Sequence, residues 1–304
     1  MSSISERLQK SFLEQYRRLS KSTTTLRARI KKGIPTDFSL PTAKPQIETR
    51  AIPARTTQAP EGTCIYAIGD IHGRADLLIT LMEKIKVDSA NLPEGTHVQI
   101  VFLGDYIDRG LQSRNVVDYF LGDKLDGFET IFLMGNHEEA LLRFFDDENF
   151  GKQWVRYGGG ETLYSYGFQP PNTRASLGSH ETMIAAQNAW TRVWEGFREK
   201  LPKPHLEFYR NLKHYHIAGD YLFVHAGLRP QVALEEQTQR DMLWIRDEFL
   251  DDREQFSHLI VHGHTPTEDV VQDGRRIGLD TGAFISGRLS AARLFGTEIE
   301  FLST

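Results

Sequence analysis

The chain has 304 residues, 39% of them hydrophobic and 25% charged, enough for one large α/β domain or two ordinary ones. No apolar run approaches the ~20 residues that span a bilayer, which excludes a helical integral membrane protein. Residues 1–32 are interrupted throughout by Arg, Lys, Ser and Glu, so no secretory leader is read there and a cytoplasmic location is expected.

The net charge of −5 is unevenly spread: residues 1–60 hold 12 Lys and Arg against 4 Asp and Glu, +8, and the remainder holds 24 against 37, −13. Within this arm Ile4, Leu8, Phe12, Tyr16 and Leu19 keep the spacing of a short amphipathic helix. Residues 23–60 then carry Pro35, Pro41, Pro45, Pro53 and Pro60 with no strong period. We read residues 1–60 as a basic, flexible arm, able to touch an anionic membrane surface weakly, with no stable nucleic-acid partner. Residues 61–304 read as the folded domain.

From Cys64 onward short apolar runs alternate with helical patterns. Residues 64–68, 98–103, 130–134, 221–224 and 259–261 have the composition of strands buried on both faces, and a later run lies at 276–279. The single cysteine, Cys64, sits in the first run, where it reads as a small buried residue in a reducing compartment. Leu77, Leu78, Leu81, Met82 and Ile85 fall on a helical period directly after that run, giving the strand, loop and helix order of an α/β fold. Residues 140–215 contain Trp154, Trp190, Trp194 and Gly158-Gly159-Gly160 and read as a helical cap or outer layer, with the glycines as a loop.

Each apolar run ends in a polar cluster. The first leads into Gly69-Asp70-Ile71-His72-Gly73, the second into Gly104-Asp105-Tyr106-Ile107-Asp108-Arg109-Gly110, and the third into Gly135-Asn136-His137-Glu138. The fourth leads into His225-Ala226-Gly227 and the fifth into His262-Gly263-His264-Thr265. Ligands of open α/β sheets gather beyond the carboxyl ends of the strands, so the five clusters are expected to converge. Asp, His and a neutral amide oxygen together suit borderline divalent metals better than calcium. Two metals held close together need a shared ligand, and Asp105 is the candidate bridge. One metal would take Asp70, His72 and Asp105; the other Asp105, Asn136, His225 and one of His262 and His264. Strand alternation puts those last two histidines on the same face and does not separate them.

The motifs GDIHG, GDYIDRG and GNHE, in this order and followed by HAG and GHT, closely resemble the signatures of the phosphoprotein phosphatase family of calcineurin-like metallophosphoesterases. The resemblance spans roughly residues 64–285. It implies a β-sandwich flanked by helices with a βαβαβ core and the active site at the strand C-terminal ends. It also implies two divalent metal ions, manganese first with iron or zinc as alternatives, and direct in-line attack of an activated water on phosphorus. By the same resemblance His264 is the ligand, His137 the general acid and Asp108 the group that orients it. Arg109, Arg246 and Asn136 would hold the phosphate, the arginines as a bidentate pair. Glu138 reads as a helix N-terminal or supporting residue. The WIR and GHTP elements resemble bacterial-type serine/threonine protein phosphatases, so the leading expectation is a phosphomonoesterase acting on phosphoproteins or phosphopeptides. A dinucleoside polyphosphate hydrolase is the alternative, and a non-catalytic binding module the third reading. The intact Asp108-Arg109-Gly110 ending is what favours the first.

Overall fold

The computed structural model describes residues 56–171 and 180–304. The amphipathic pattern at 4–19 and all but the last five residues of the expected arm lie outside the described residues. Those last five pack on the domain: Thr57 and Ala59 are buried, the Gln58 backbone N–H donates to Asp220, and the Tyr221 hydroxyl donates to Thr57.

Among the described residues ten strands form two five-stranded sheets. In the first, β1 (Thr63–Ile68), β2 (His97–Phe102) and β3 (Glu129–Phe132) run parallel, and β9 (Ser290–Phe295) and β10 (Glu298–Ser303) continue antiparallel in the order β10-β9-β1-β2-β3. In the second, β5 (Tyr221–Val224), β6 (Leu259–His262) and β8 (Arg276–Gly278) are parallel. The antiparallel β4 (Tyr215–Ala218) and β7 (Val271–Gln272) lie at its edges.

The period-2 geometry of a strand explains why these runs are apolar throughout. Ile65 and Ala67 of β1 and Val101 of β2 point into a central layer against Tyr221, Phe223, Val261 and Ile277 of the second sheet. Cys64, Tyr66 and Ile68 point the other way, into a larger cluster with the helices. Leu222, Val224 and Ile260 do the same on the far face of the second sheet, against Met242, Ile245 and Phe249. Both faces of each sheet are therefore apolar, the two-sheet, helix-flanked α/β arrangement expected.

The helices over the first sheet follow directly from its parallel crossovers. They are α1 (Ala75–Ser89), α2 (Ser113–Leu121) and α3 (Asn136–Asp146), continued by α4 (Gly151–Tyr157), α5 (Gly159–Ser165), α6 (His180–Lys200) and α7 (Lys203–Arg210). The described helices between 140 and 210 form an outer layer: Phe144, Trp154, Trp190, Phe197 and Tyr209 are fully buried in one aromatic-rich cluster with the first sheet's outer face. The expected loop at Gly158-Gly159-Gly160 is instead a joint, because Gly158 at φ 107° ends α4 and the next two glycines begin α5. Short helices α8 (Gln239–Trp244), α9 (Asp247–Leu250) and α10 (Ala283–Ser286) complete the layer around the second sheet's ends. Among the described residues no helix is long and apolar enough to cross a membrane.

Candidate active site

The five polar clusters meet where β1, β2, β3, β5 and β6 end. Backbone hydrogen bonds fasten the first two loops together, since the N–H groups of Ile71 and His72 donate to the Asp105 carbonyl (3.1 and 2.9 Å) and that of Gly73 to Tyr106 (2.8 Å). The loops are also conformationally demanding. Among the described residues six non-glycine residues have positive φ, and five of them are His72 (46°), Asp105 (53°), Asp108 (72°), Arg109 (66°) and His264 (64°). Left-handed backbone costs such residues about 1 kcal/mol or more each, so the fold holds this site against a local preference. Gly135 is needed for close approach, because a Cβ there would lie 2.2 Å from Asp105 Oδ1.

Asp70, His72, Asp105, Asn136, His137, His225 and His264 are all buried, none more than 5% exposed. The two oxygens of Asp105 face different ways. Oδ2 lies 3.6 Å from His72 Nε2 and 3.8 Å from His137 Nε2, while Oδ1 lies 3.4 Å from His225 Nε2. Two ligand-competent groups result, His72, Asp105 and His137 on one flank and Asp105, His225 and His264 on the other. Asn136 Oδ1 completes the second flank, 2.9 Å from both His225 Nε2 and His264 Nδ1. Asp70 stands outside both compact groups, its carboxylate accepting the His264 backbone N–H at 3.0 Å.

The donor chemistry fits divalent cations. His72 and His225 donate through Nδ1 to the carbonyls of Ile107 (2.9 Å) and Leu103 (2.8 Å), which leaves both Nε2 lone pairs directed into the site. The His225 lone pair then faces an amide oxygen and a carboxylate, acceptors meeting acceptors, an arrangement a cation satisfies. Burial lowers the pKa of His72, His225 and His264, which favours the neutral imidazole that can offer a lone pair to a metal. Burial works to raise the Asp105 carboxyl, while positive charge on the imidazoles around it, to the extent that they are protonated, pulls it below the usual carboxylate range. Asp70 is pushed well up by burial and then by Asp280 and Asp105. Positive charge among these acids would bring them back to the ionised form.

Around these groups lies a second layer. His137 Nδ1 donates to Asp108 Oδ2 at 2.6 Å, and Asp108 also accepts from Trp154 Nε1 (2.9 Å) and the Thr162 hydroxyl (2.6 Å). Glu138 accepts from the backbone of Asp105 (2.9 Å), Tyr106 (2.8 Å), Ile107 (3.3 Å) and Gly135 (3.0 Å), fastening the Asp105 turn to the start of α3. Burial pushes its carboxyl up to about 8, with Asp105 adding to the rise and these N–H groups opposing it. Glu138 is thus a supporting residue, as its place at a helix N-terminus suggested. Arg109 donates to His72 Nε2 (2.7 Å) and His137 Nε2 (3.0 Å), so its guanidinium lies across the first flank. Arg246 is exposed and donates to the Thr265 hydroxyl at 3.3 Å.

The two histidines of the last motif are separated by the backbone. β6 ends at His262, whose ring lies edge-on to Phe249 (5.1 Å) and accepts from Arg276 at 3.1 Å. The left-handed turn at His264 carries its ring to the other side, onto Asn136. Strand alternation does not apply across that turn. Sequence reasoning missed Asp280, buried beside Asp70 with its carboxyl pushed up to about 6 by burial. The signal existed, because the apolar run at 276–279 also ends in a polar cluster, Asp280-Thr281-Gly282. Trp154 and Thr162 had no signal: they reach Asp108 from 46 and 54 residues away.

The sequence profile of the calcineurin-like phosphoesterases matches residues 65–169. A bis(5'-nucleosyl)-tetraphosphatase (asymmetrical) of Anoxybacillus flavithermus is 26% identical over 246 residues, 74% of this chain and 88% of that protein. The enzyme of the same name from Geobacillus thermodenitrificans is 28% identical over 248 residues, 75% and 89% of the two chains. A crystal structure of a provisionally named diadenosine tetraphosphatase aligns with a TM-score of 0.53 at 19% identity, over 81% of this chain and 98% of that one, which supports the fold. Over residues 65–169 the chain is similar to the calcineurin-like phosphoesterases, and the two-sheet fold and the paired clusters around Asp105 are consistent with that likeness.

Proposed function

We propose that this chain is a two-metal phosphohydrolase whose preferred substrates are dinucleoside polyphosphates. The observation that carries the two-metal reading is Asp105, with Oδ2 toward His72 and His137 and Oδ1 toward His225. Asp70, His72 and Asp105 would hold one cation, and Asp105, Asn136, His225 and His264 the other. When bound, the pair supplies an activated water and neutralises charge on the phosphate oxygens. Manganese is the first candidate, followed by iron and zinc.

Arg109 orients the phosphoryl group through its two terminal nitrogens, and Arg246 adds a second cation from the open side. Once the phosphoryl group draws Arg109 off His137 Nε2, that nitrogen would carry the proton delivered to the leaving oxygen. Asp108, bonded to Nδ1 at 2.6 Å, fixes the orientation of the ring. His137 is also within ligand distance of His72 and Asp105, and its Asp108 partner is what favours the proton-transfer role.

The substrate class rests on the relatives, two tetraphosphatases matched along nearly their whole length. A phosphoprotein phosphatase is the second reading, favoured by the intact Asp108-Arg109-Gly110. Those residues touch the transferred phosphoryl group and the leaving oxygen, which both substrate classes share, so they discriminate weakly between them. The deciding measurement is kcat/KM of manganese-supplemented protein on diadenosine tetraphosphate and on phosphoserine and phosphotyrosine peptides. Release of nucleoside mono- and triphosphate at ten times or more the peptide rate, about 1.4 kcal/mol of discrimination, is expected. The reverse ranking would move the assignment to phosphoproteins, and no turnover with manganese, nickel or iron would sink the enzyme reading.

A further inference from the structure

The second sheet does more than supply ligands. Beyond β8 the chain turns at Gly282 (φ 65°), whose N–H donates to Asp280 at 2.9 Å, and then forms α10. Arg74, from the loop after β1, donates to the Ala283 carbonyl at 3.2 Å and ties that short helix to the first sheet's side of the site. The next residue is Phe284. Its ring stands edge-on to His72, with centroids 5.4 Å apart, and lies beneath the Arg109 guanidinium, with Cζ 5.0 Å from the ring centroid.

Arg109 is an unusual phosphate-binding candidate. Its backbone is held at φ 66° with its N–H on Gly158 O at 3.0 Å, and a Cβ at Gly158 would lie 2.7 Å from Arg109 Cγ, so the first part of the side chain is closely confined. Its terminal nitrogens rest on two imidazoles. Among the described residues no carboxylate forms an ion pair with it. A carboxylate partner would fix the guanidinium but cancel its charge and occupy the N–H groups that a phosphate requires. An aromatic face attracts the cation without neutralising it and takes up none of its N–H groups, of which a phosphate would claim those now given to His72 and His137.

We infer that Phe284 is a positioning residue that holds Arg109 for phosphate through its ring face. The inference rests on the reading of Arg109 as a phosphate ligand, and it does not depend on which phosphate compound is hydrolysed. Leucine at 284 retains apolar bulk without a π face, whereas tyrosine retains the face.

The test is calorimetric titration of inorganic phosphate and tungstate into the full, manganese-loaded chain, with metal content measured on every variant. Phe284→Leu is expected to weaken oxyanion binding about 5- to 30-fold, the reach of a partly desolvated cation–π contact. Phe284→Tyr should stay within about twofold of the parent, and both should retain the parent's metal content. The decisive arm is Phe284→Leu introduced beside Arg109→Ala, where it should produce no further loss. Equal losses with and without Arg109, unchanged affinity in Phe284→Leu, or failure of Phe284→Tyr to restore binding would each overturn the inference. Loss of metal from Phe284→Leu would also overturn it, assigning the ring to His72 instead. A chain that binds phosphate as expected yet cleaves neither substrate class would lose the proposed function and keep this role for Phe284.

Discussion

The two flanks of Asp105 are built differently. On the first, His72 and His137 come from the ends of parallel strands of one sheet and are surrounded by groups with specific partners: Asp108 with Trp154 and Thr162, and Arg109 with Phe284. On the second, His225 rests on a backbone carbonyl, His264 Nε2 has no partner among the described residues, and the nearby arginine is exposed. Under the proposed function the first flank positions a phosphoryl group and moves a proton, whereas the second mainly holds charge. Metal retention should therefore depend on both flanks, and turnover beyond metal retention chiefly on the first.

The largest effect should come from the residue the flanks share. Asp105→Asn keeps the side chain's shape but loses the charge that faces both ways, so both cations should be lost. Turnover should fall by more than the about 10⁴-fold upper reach of a missing acid group. His264→Asn should cost only the second-flank cation. Metal analysis of the purified variants checks the pair, and retention of both metals in Asp105→Asn would break the comparison at its centre.

His137→Asn should spare metal content and still lower turnover about 10²- to 10⁴-fold. The loss should grow with the basicity of the leaving group, because a phosphate leaving group with a pKa near 6 needs less help from an acid than a serine alkoxide does. A plot of the loss against leaving-group pKa, from nucleotide anhydrides to alkyl esters, tests this. A flat plot, or metal loss equal to that of Asp105→Asn, would make His137 a ligand of the first flank instead.

How much of this was legible depended on burial. Strands β1, β5 and β6 and the last four residues of β2 have both faces covered, so each reads as an apolar run, and the polar residue that ends the run marks the site; β3 buries only Ile131 within the strand and is read from the buried Leu133 and Met134 that follow it. Edge strand β4 alternates exposed and half-buried residues, β7 has two residues, and β10 carries Glu298 and Glu300 on its open side. None of these has the composition of a buried strand. In β9 the buried positions are Ser290, Ala291, Ala292 and Leu294, three of them small and too weakly apolar to stand out. The first flank's candidate ligands could be picked out from local motifs; the supports of Asp108 could not, because tertiary packing brings them from separate helices. The choice of His264 over His262 required a backbone conformation that no periodicity encodes.

The smallest expected effects separate the two arginines. Arg109→Ala removes a confined guanidinium from the first flank and should lower kcat/KM about 10²-fold, in the range of losing one preorganised donor to the transition state. Arg246 lies on the open side of the second flank, exposed and held by one hydrogen bond of 3.3 Å to Thr265. Water already solvates its charge, and ordering its side chain on substrate carries an entropic cost. Arg246→Ala should therefore raise KM about 3- to 10-fold with kcat nearly unchanged, and the rise should shrink as salt screens the interaction. Steady-state kinetics at two ionic strengths measures both parts. A kcat loss matching that of Arg109→Ala would mean that substrate closes the second flank into a clamp as tight as the first, because only a guanidinium drawn out of solvent in the transition state contributes that much.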